Sequence, residues 1–389
     1  MAEPLRALLA GGGTAGHVNP LLATAAALRE EGADVTVLGT AEGLEHTLVP
    51  EAGFPMRVVH RVPLPRRPSL DLLRLPARLR GAVTTADRAL TETGAQVVVG
   101  FGGYVATPAY LAARRRGIPV VVHEQNARPG LANRVGARWA AVVALTFAST
   151  PLAAARGRTE VTGLPLRAPI GALVADRTTP EGAQRRRDAA ADRLGLDPRR
   201  PTLLVTGGSL GAQRLNTAAA AAATALVQAG AQVLHLTGRG KDEAVRTAVR
   251  SAADGAPEVT EHYHVLDYLS AMEDAYACSD LVLCRSGAGT VAELAALGLP
   301  AVYVPLPIGN GEQRLNAADV VAAGGGVLVE DGHLDAAYVS REVAGLLADA
   351  GELRRRGDAA ARAGATDGAA RLADLVREAA RGAAGVGRG

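Results

Sequence analysis

Residues 5–17 read Leu5-Arg6-Ala7-Leu8-Leu9-Ala10-Gly11-Gly12-Gly13-Thr14-Ala15-Gly16-His17. A short apolar run at 5–10 ends in a glycine turn, and a helical pattern follows over 19–31. Strand, tight turn and helix in that order open a parallel α/β unit. The same order returns at 202–206, with Gly207-Gly208-Ser209-Leu210-Gly211 as the turn and a helical pattern over 212–228. The repeat is one of architecture, because the two stretches share little sequence.

Outward from the first turn, buried-type runs at 35–38, 96–100, 118–122 and 140–145 alternate with helical patterns at 70–92, 104–116 and 129–138. Outward from the second, strands are expected near 231–236, 258–262, 280–284, 300–304 and 326–329. Short buried strands separated by helices imply parallel sheets with right-handed crossovers. The stretch 163–200 is charged and strandless and reads as an interdomain region plus a first helix. Residues 353–380 read as helix without a strand. The expected fold class is therefore α/β, in two similar halves built on parallel sheets. Ligands of such sheets sit at the carboxyl ends of the strands, so the chemistry is expected in the strand-to-helix loops facing a central cleft.

The chain has 389 residues, which suits two domains, with 48% apolar and 21% charged residues. Forty-two basic against 39 acidic residues leave a net charge of +3, too little to point to nucleic acid. Lys241 is the single lysine, so any cation meeting a phosphate is a guanidinium. Cys278 and Cys284 are the only cysteines, and a reduced, buried thiol is expected at Cys284, not a disulfide or a metal ligand. No run of 18 apolar residues exists, and the amino terminus lacks the charged start and apolar length of a signal peptide. A cytoplasmic protein is expected, with contact to a membrane surface left open.

Glycines in the first loop allow a phosphate to approach backbone N–H groups at a helix start. Gly11, Gly13 and Gly16 also satisfy the dinucleotide fingerprint, but the second strand ends Val37-Leu38-Gly39-Thr40 without the ribose-binding acid, and Glu42 alone keeps that reading alive. His17 is either a solvated helix-start imidazole or a group that activates an acceptor hydroxyl. Gly207 to Gly211 formally match a hydrolase nucleophile elbow around Ser209, yet no acid-then-histidine pair follows in a suitable arrangement. The alternative is a second phosphate cradle.

Cys284-Arg285-Ser286-Gly287-Ala288-Gly289-Thr290-Val291-Ala292-Glu293 again spans a strand end and a helix start. Its small residues suit a diphosphate nest, and Glu293 either accepts from a sugar diol or favours the helix dipole. Glu312, Gln313 and Asn316 crowd the next helix start, as caps or as partners of sugar hydroxyls. His123-Glu124-Gln125-Asn126 has Ala127 where a zinc protease needs histidine, and no two Asp residues stand one residue apart, so no metal site is implied. The stretch 62–80 mixes leucines with five arginines; it is either a packed helix with a solvated face or a surface for an anionic bilayer.

GGGTAGH at 11–17, GFGGY at 100–104, HEQN at 123–126, GLPLR at 163–167, GGSLGA at 207–212, CRSGAGTVAE at 284–293 and GNGEQRLNA at 309–317 occur in order along the chain. Together they resemble the MurG family, the UDP-N-acetylglucosamine:lipid I N-acetylglucosaminyltransferases of bacterial peptidoglycan synthesis. The resemblance implies a GT-B fold, with two Rossmann-like domains, an acceptor- and membrane-facing one over 1–165 and a UDP-GlcNAc-binding one over 166–365, and a C-terminal helix over 366–389 that returns to the N-terminal domain. It implies inverting, metal-independent transfer of GlcNAc from UDP-GlcNAc to lipid I, giving lipid II and UDP, without a cofactor. It implies a peripheral enzyme on the cytoplasmic face of the cell membrane, with an anionic membrane surface and other cell-wall synthesis proteins as partners.

Carried over by motif, Thr14, Ala15 and Gly16 border donor sugar and acceptor, and His17 activates the acceptor hydroxyl. Asn126 contacts the GlcNAc, while Arg167, Ser209 and the backbone of Ala288, Gly289, Thr290 and Val291 meet the diphosphate. Glu293 holds the ribose diol, Gln313 binds GlcNAc hydroxyls, Leu269 faces the uracil, and 62–80 forms the membrane-docking face. Ala15 stands where the family more commonly has Gly, and Glu312 where Gln is frequent. Rival readings are another GT-B transferase with a lipid or natural-product acceptor, a UDP-GlcNAc epimerase, an NAD enzyme and a non-catalytic binding protein.

Overall fold

The computed structural model describes residues 3–62, 70–208, 211–308 and 310–386. The chain divides into two compact units, Met1–Arg167 with Asp367–Gly389, and Ala168–Thr366.

The first unit holds seven strands: β1 Arg6–Ala10, β2 Asp34–Gly39, β3 Met56–Val58, β4 Val97–Gly100, β5 Val120–Glu124, β6 Val142–Leu145 and β7 Arg158–Val161. They lie in the order β3-β2-β1-β4-β5-β6-β7, and every pairing is parallel. Valine and leucine fill both faces of the central strands, as a sheet covered by helices on both sides requires. One face packs under the helices Leu70–Thr93 and Gly103–Arg115. The other is covered by Ala15–Glu30 and by the last helix, Gly368–Val386, whose Leu372, Ala373, Leu375 and Val376 join Leu9, Val37, Val99 and Val121.

The second unit holds β8 Thr202–Thr206, β9 Gln232–Leu236, β10 Tyr263–Leu266, β11 Leu281–Cys284, β12 Ala301–Tyr303 and β13 Gly326–Leu328, in the parallel order β10-β9-β8-β11-β12-β13. Both sheets follow the doubly wound order, in which the first and fourth strands are neighbours and the chain direction across the sheet reverses between them.

Several expectations are corrected. Residues 258–262 form a helix, Glu258–His262, and the strand is Tyr263–Leu266. Pro257 precedes that helix and Glu258 and Glu261 lie in its first turn, which suits a helix start better than a strand. The edge strands β3 and β7 carry little apolar signal because both are largely exposed. The single helix expected over 353–380 is two, Ala350–Ala363 and Gly368–Val386, and the two fall in different units. Within 62–80, residues 63–69 lie outside the described residues; Leu75 and Leu79 pack on the core while Arg78 and Arg80 are exposed. Among the described residues no helix is long and apolar enough to cross a membrane.

Candidate functional site

In the first unit the loops after β1 and β4 flank the reversal point and touch. Phe101 N donates to Ala10 O at 2.8 Å. Gly103 (φ +76°) lies so close that a Cβ there would stand 2.8 Å from Gly12 O. A Cβ on Gly102 (φ +89°) would stand 3.3 Å from His17 Nε2. The second loop thus needs glycine for both space and backbone conformation. His17 Nδ1 lies 3.2 Å from Gly12 O and 3.2 Å from Thr14 Oγ1. The hydroxyl can donate or accept but the carbonyl only accepts, so a proton on Nδ1 is the one arrangement that satisfies both contacts, and it leaves the basic lone pair on Nε2. Thr14 precedes the helix Ala15–Glu30, and Thr14, Ala15 and Gly16 are exposed.

Sequence reasoning missed the group beneath this loop. Glu45 is buried and accepts from Gly13 N at 2.8 Å, Thr40 N at 3.0 Å and Thr40 Oγ1 at 2.7 Å. Burial pushes its carboxyl up, and the hydrogen bonds from Thr40 and Gly13 together outweigh that, so it sits below the ordinary glutamate value. The signal in the sequence was the surrounding glycine: a Cβ on Gly12, Gly39 or Gly43 would collide with the Glu45 side chain.

The end of β5 is a second built site. His123 Nε2 lies 3.2 Å from Gly163 O, and Gln125 Nε2 lies 3.0 Å from His123 Nδ1. Burial pushes the imidazole down to about 4, so it is neutral and donates from Nε2 to the carbonyl. Glu124, also buried, accepts from Asn126 N at 3.0 Å, Gly130 N at 2.9 Å and Asn133 Nδ2 at 2.9 Å. Its carboxyl is raised by burial, against the opposing pull of these donors. The carboxylate closes the loop that carries the half-buried Asn126. The His123 bond ties the same strand end to Gly163, four residues before the half-buried Arg167. Neither Glu124 nor Asn133 was singled out as a loop clamp from sequence.

In the second unit the loops after β8 and β11 flank the corresponding reversal point. Gly211 (φ +65°) packs on Thr237 O with no room for a Cβ. Ser209 lies outside the described residues. After β11, Gly287 precedes the helix Ala288–Ala296, whose first turn carries Ala288, Gly289, Thr290 and Val291. A helix start without a capping side chain offers N–H groups and a positive dipole end to an anion. Glu293, 9% exposed, lies in its second turn.

Arg285 donates to Val304 O and Pro305 O, both at 3.1 Å, and pairs with Asp331 at 2.7 Å. Asn316 Nδ2 donates to Ser286 O at 3.3 Å. These bonds join the β11 and β12 loops, and so bring Gln313 into one constellation with the 288–293 helix start. Gln313 Oε1 accepts from Leu306 N at 3.0 Å, which leaves its Nε2 as the donor it can offer a ligand. Leu269 is half-buried in the loop after β10. Cys278 and Cys284 are free and buried, with both thiols pushed up by burial, Cys278 to about 11. Among the described residues no three His, Cys, Asp or Glu side chains group to hold a metal ion.

Residues 7–145 match the glycosyltransferase family 28 N-terminal domain and residues 202–372 its C-terminal domain. The chain is 53% identical to the UDP-N-acetylglucosamine--N-acetylmuramyl-(pentapeptide) pyrophosphoryl-undecaprenol N-acetylglucosamine transferase of a Nocardioides strain, over 96% of this chain and 98% of the relative. It is 50% identical to the transferase of the same name from Bifidobacterium adolescentis, over 97% and 98%. The crystal structure of Acinetobacter baumannii MurG superposes with a TM-score of 0.75 at 27% identity, covering 96% of this chain and all of that one. The two doubly wound units are thus the GT-B architecture, and the chain belongs to glycosyltransferase family 28, in its MurG branch.

Proposed function

We propose that this chain transfers GlcNAc from UDP-GlcNAc to the 4-hydroxyl of the MurNAc unit of undecaprenyl-pyrophosphoryl-MurNAc-pentapeptide, releasing UDP and lipid II. The observation that carries this reading is the division of labour between two glycine loops at two strand-order reversals. In the second unit the uncapped helix start at Ala288 suits a diphosphate; in the first, the loop holds an imidazole whose Nδ1 lies 3.2 Å from the Gly12 carbonyl, which favours a basic lone pair on Nε2.

In this reading the acceptor O4 attacks C1 of GlcNAc as the C1–O bond to UDP breaks, with inversion. The O4 proton passes to His17 Nε2. Charge developing on the leaving diphosphate is absorbed by the N–H groups at 288–291, by Ser209 and by Arg167. Glu293 takes the ribose diol, Leu269 packs on the uracil, and Gln313 and Asn126 take GlcNAc hydroxyls. Thr14, Ala15 and Gly16 border the reacting sugars. No metal ion or cofactor enters these steps.

Association with the cytoplasmic face of an anionic membrane belongs to the same proposal. Arg78, Arg80, Arg114, Arg115, Arg134 and Arg138, all exposed on the first unit, support it. Other cell-wall synthesis proteins are proposed partners.

The test is transfer of labelled GlcNAc from UDP-GlcNAc to a short-chain lipid I analogue in EDTA. A disaccharide-lipid product is expected. Donor binding or epimerisation without that product would reassign the acceptor or the reaction class, and activity lost to EDTA and restored by Mg²⁺ would overturn the metal-free mechanism.

A further inference from the structure

Gly12 and Gly13 share one peptide group. Its N–H, on Gly13, donates to Glu45 Oε2 at 2.8 Å; its C=O, on Gly12, lies 3.2 Å from His17 Nδ1. In a trans peptide the N–H and C=O point in opposite directions, so fixing one aims the other. We propose that Glu45 is a positioning residue for the proton transfer: by holding the N–H of the Gly12–Gly13 peptide it turns the carbonyl onto Nδ1 of His17 and keeps the basic lone pair on Nε2. The inference rests on the reading of His17 as the base.

Two glycines in succession have no side chains to hold a peptide plane, and Gly13 sits at φ +89° with nothing within 4 Å of a Cβ position. The plane must be fixed from below. Glu45 is suited to that task because the groups that bond its carboxylate are donors: Gly13 N, Thr40 N, Thr40 Oγ1 and its own backbone N–H. A carboxylate accepts from all of them, whereas a carboxamide would set its own N–H₂ against one. The charge also strengthens the bond to the peptide N–H and polarises the carbonyl toward the imidazole. When His17 takes the acceptor proton at Nε2, the resulting imidazolium still donates from Nδ1 to that carbonyl. The device resembles the acid that orients histidine in hydrolase triads, with one peptide group interposed.

The same contacts limit what the first glycine loop does. Gly13 N is engaged by a buried carboxylate, so this loop is an imidazole mount, and that amide is not a phosphate donor.

The test combines ring-nitrogen NMR of ¹⁵N-histidine-labelled full-length protein with steady-state kinetics. His17 is assigned by the signal lost in His17→Ala. Wild type is expected in the Nδ1–H form; an Nε2–H form in wild type would overturn the proposal whatever the variants do. Glu45→Gln is expected to shift His17 toward the Nε2–H form. It should lower kcat on the order of a hundredfold, with KM for UDP-GlcNAc held within about twofold. In the His17→Ala background the same change should cost little more. An unchanged tautomer in Glu45→Gln, or an equal loss in both backgrounds, would sink the proposal. If His17→Ala alone leaves turnover intact, the base assignment fails, while the tautomer shift still reports whether Glu45 sets the ring. Thr40→Val, which removes one donor to Glu45 and keeps the charge, is the milder variant should Glu45→Gln not fold, and there the wild-type tautomer remains decisive.

Discussion

The phenol of Tyr276 donates to Oε2 of Glu293 at 3.2 Å, so the carboxylate above β11 is aimed by the helix that precedes that strand. In the proposed role Glu293 accepts from both hydroxyls of the ribose. Glu293→Ala should weaken UDP binding by about 2 kcal/mol, roughly thirtyfold, as expected for losing hydrogen bonds to a charged acceptor. Tyr276→Phe leaves the carboxylate in place but loosens it, and should cost about 1 kcal/mol. Calorimetry with UDP reads both; equal affinity in Glu293→Ala rejects the ribose role.

Gly102→Ala tests the first unit in the same spirit. The new methyl would stand 3.3 Å from His17 Nε2 at a backbone φ of +89°. Strain of about 1–2 kcal/mol is expected in the thermal unfolding of the protein. The larger effect should fall on turnover, because the methyl displaces the imidazole from its working position. His17→Ala sets the limit, with kcat lowered on the order of 10²- to 10³-fold and UDP-GlcNAc affinity retained. If Gly102→Ala keeps wild-type kcat, Nε2 does not work where the structure places it.

These two sites differ in how far the sequence exposed them. Gly207–Gly211 and Cys284–Glu293 follow strands and precede helices, so local pattern alone set them at the carboxyl ends of β8 and β11. That β1 neighbours β4, and β8 neighbours β11, is a sheet-order property, and it is what turns separate loops into paired ones. Glu45 was invisible because its function is read through the glycines it fills, which look like flexible turns in a linear sequence. The helix Glu258–His262 reads as a strand in the linear sequence because the strand Tyr263–Leu266 follows it directly and carries the apolar signal. β3 and β7 were missed because exposed edge strands need no apolar run.

Arg285, between the end of β11 and the glycine turn, holds the neighbouring loop in place. It donates to two carbonyls of the β12 loop and pairs with Asp331, itself 14% exposed. Arg285→Met keeps the length of the side chain and removes the charge. Among the described residues, Asp331 would then pair with the more distant Arg214, at 3.6 Å. The expected loss is about 2 kcal/mol of stability, less than for a fully buried charge left alone, because Asp331 is half-buried and keeps Arg214. The 304–306 backbone that holds Gln313 should loosen, raising KM for UDP-GlcNAc more than it lowers kcat. Unchanged unfolding and unchanged KM would show that the β12 loop is held by other contacts.

Each unit also carries one deeply buried imidazole, and the two give the protein a readable acid limb. Burial pushes His123 down to about 4 and His235 to about 3. His235 lies between Tyr263 Oη at 2.9 Å and Asn216 Oδ1 at 3.1 Å. Below pH 6.5 the unfolded chain protonates these rings while the folded chain does not, so the unfolded state binds more protons and stability falls with falling pH. The loss begins near the unfolded value of about 6.5 and levels off below the folded values. For one ring it should be about 1.4 kcal/mol at pH 5.5 and on the order of 3 kcal/mol by pH 4. His123→Gln and His235→Gln are each expected to cost stability at pH 7 and to flatten the decline between pH 6.5 and 5. That window precedes the protonation of Glu45, which is held below the ordinary glutamate value. His264, lowered by burial and by the neighbouring His262, titrates in both variants and cancels in the difference from wild type. Denaturant unfolding across this range, followed separately for each variant, should give shallower slopes than wild type; parallel curves would mean that these rings are protonated inside the folded protein.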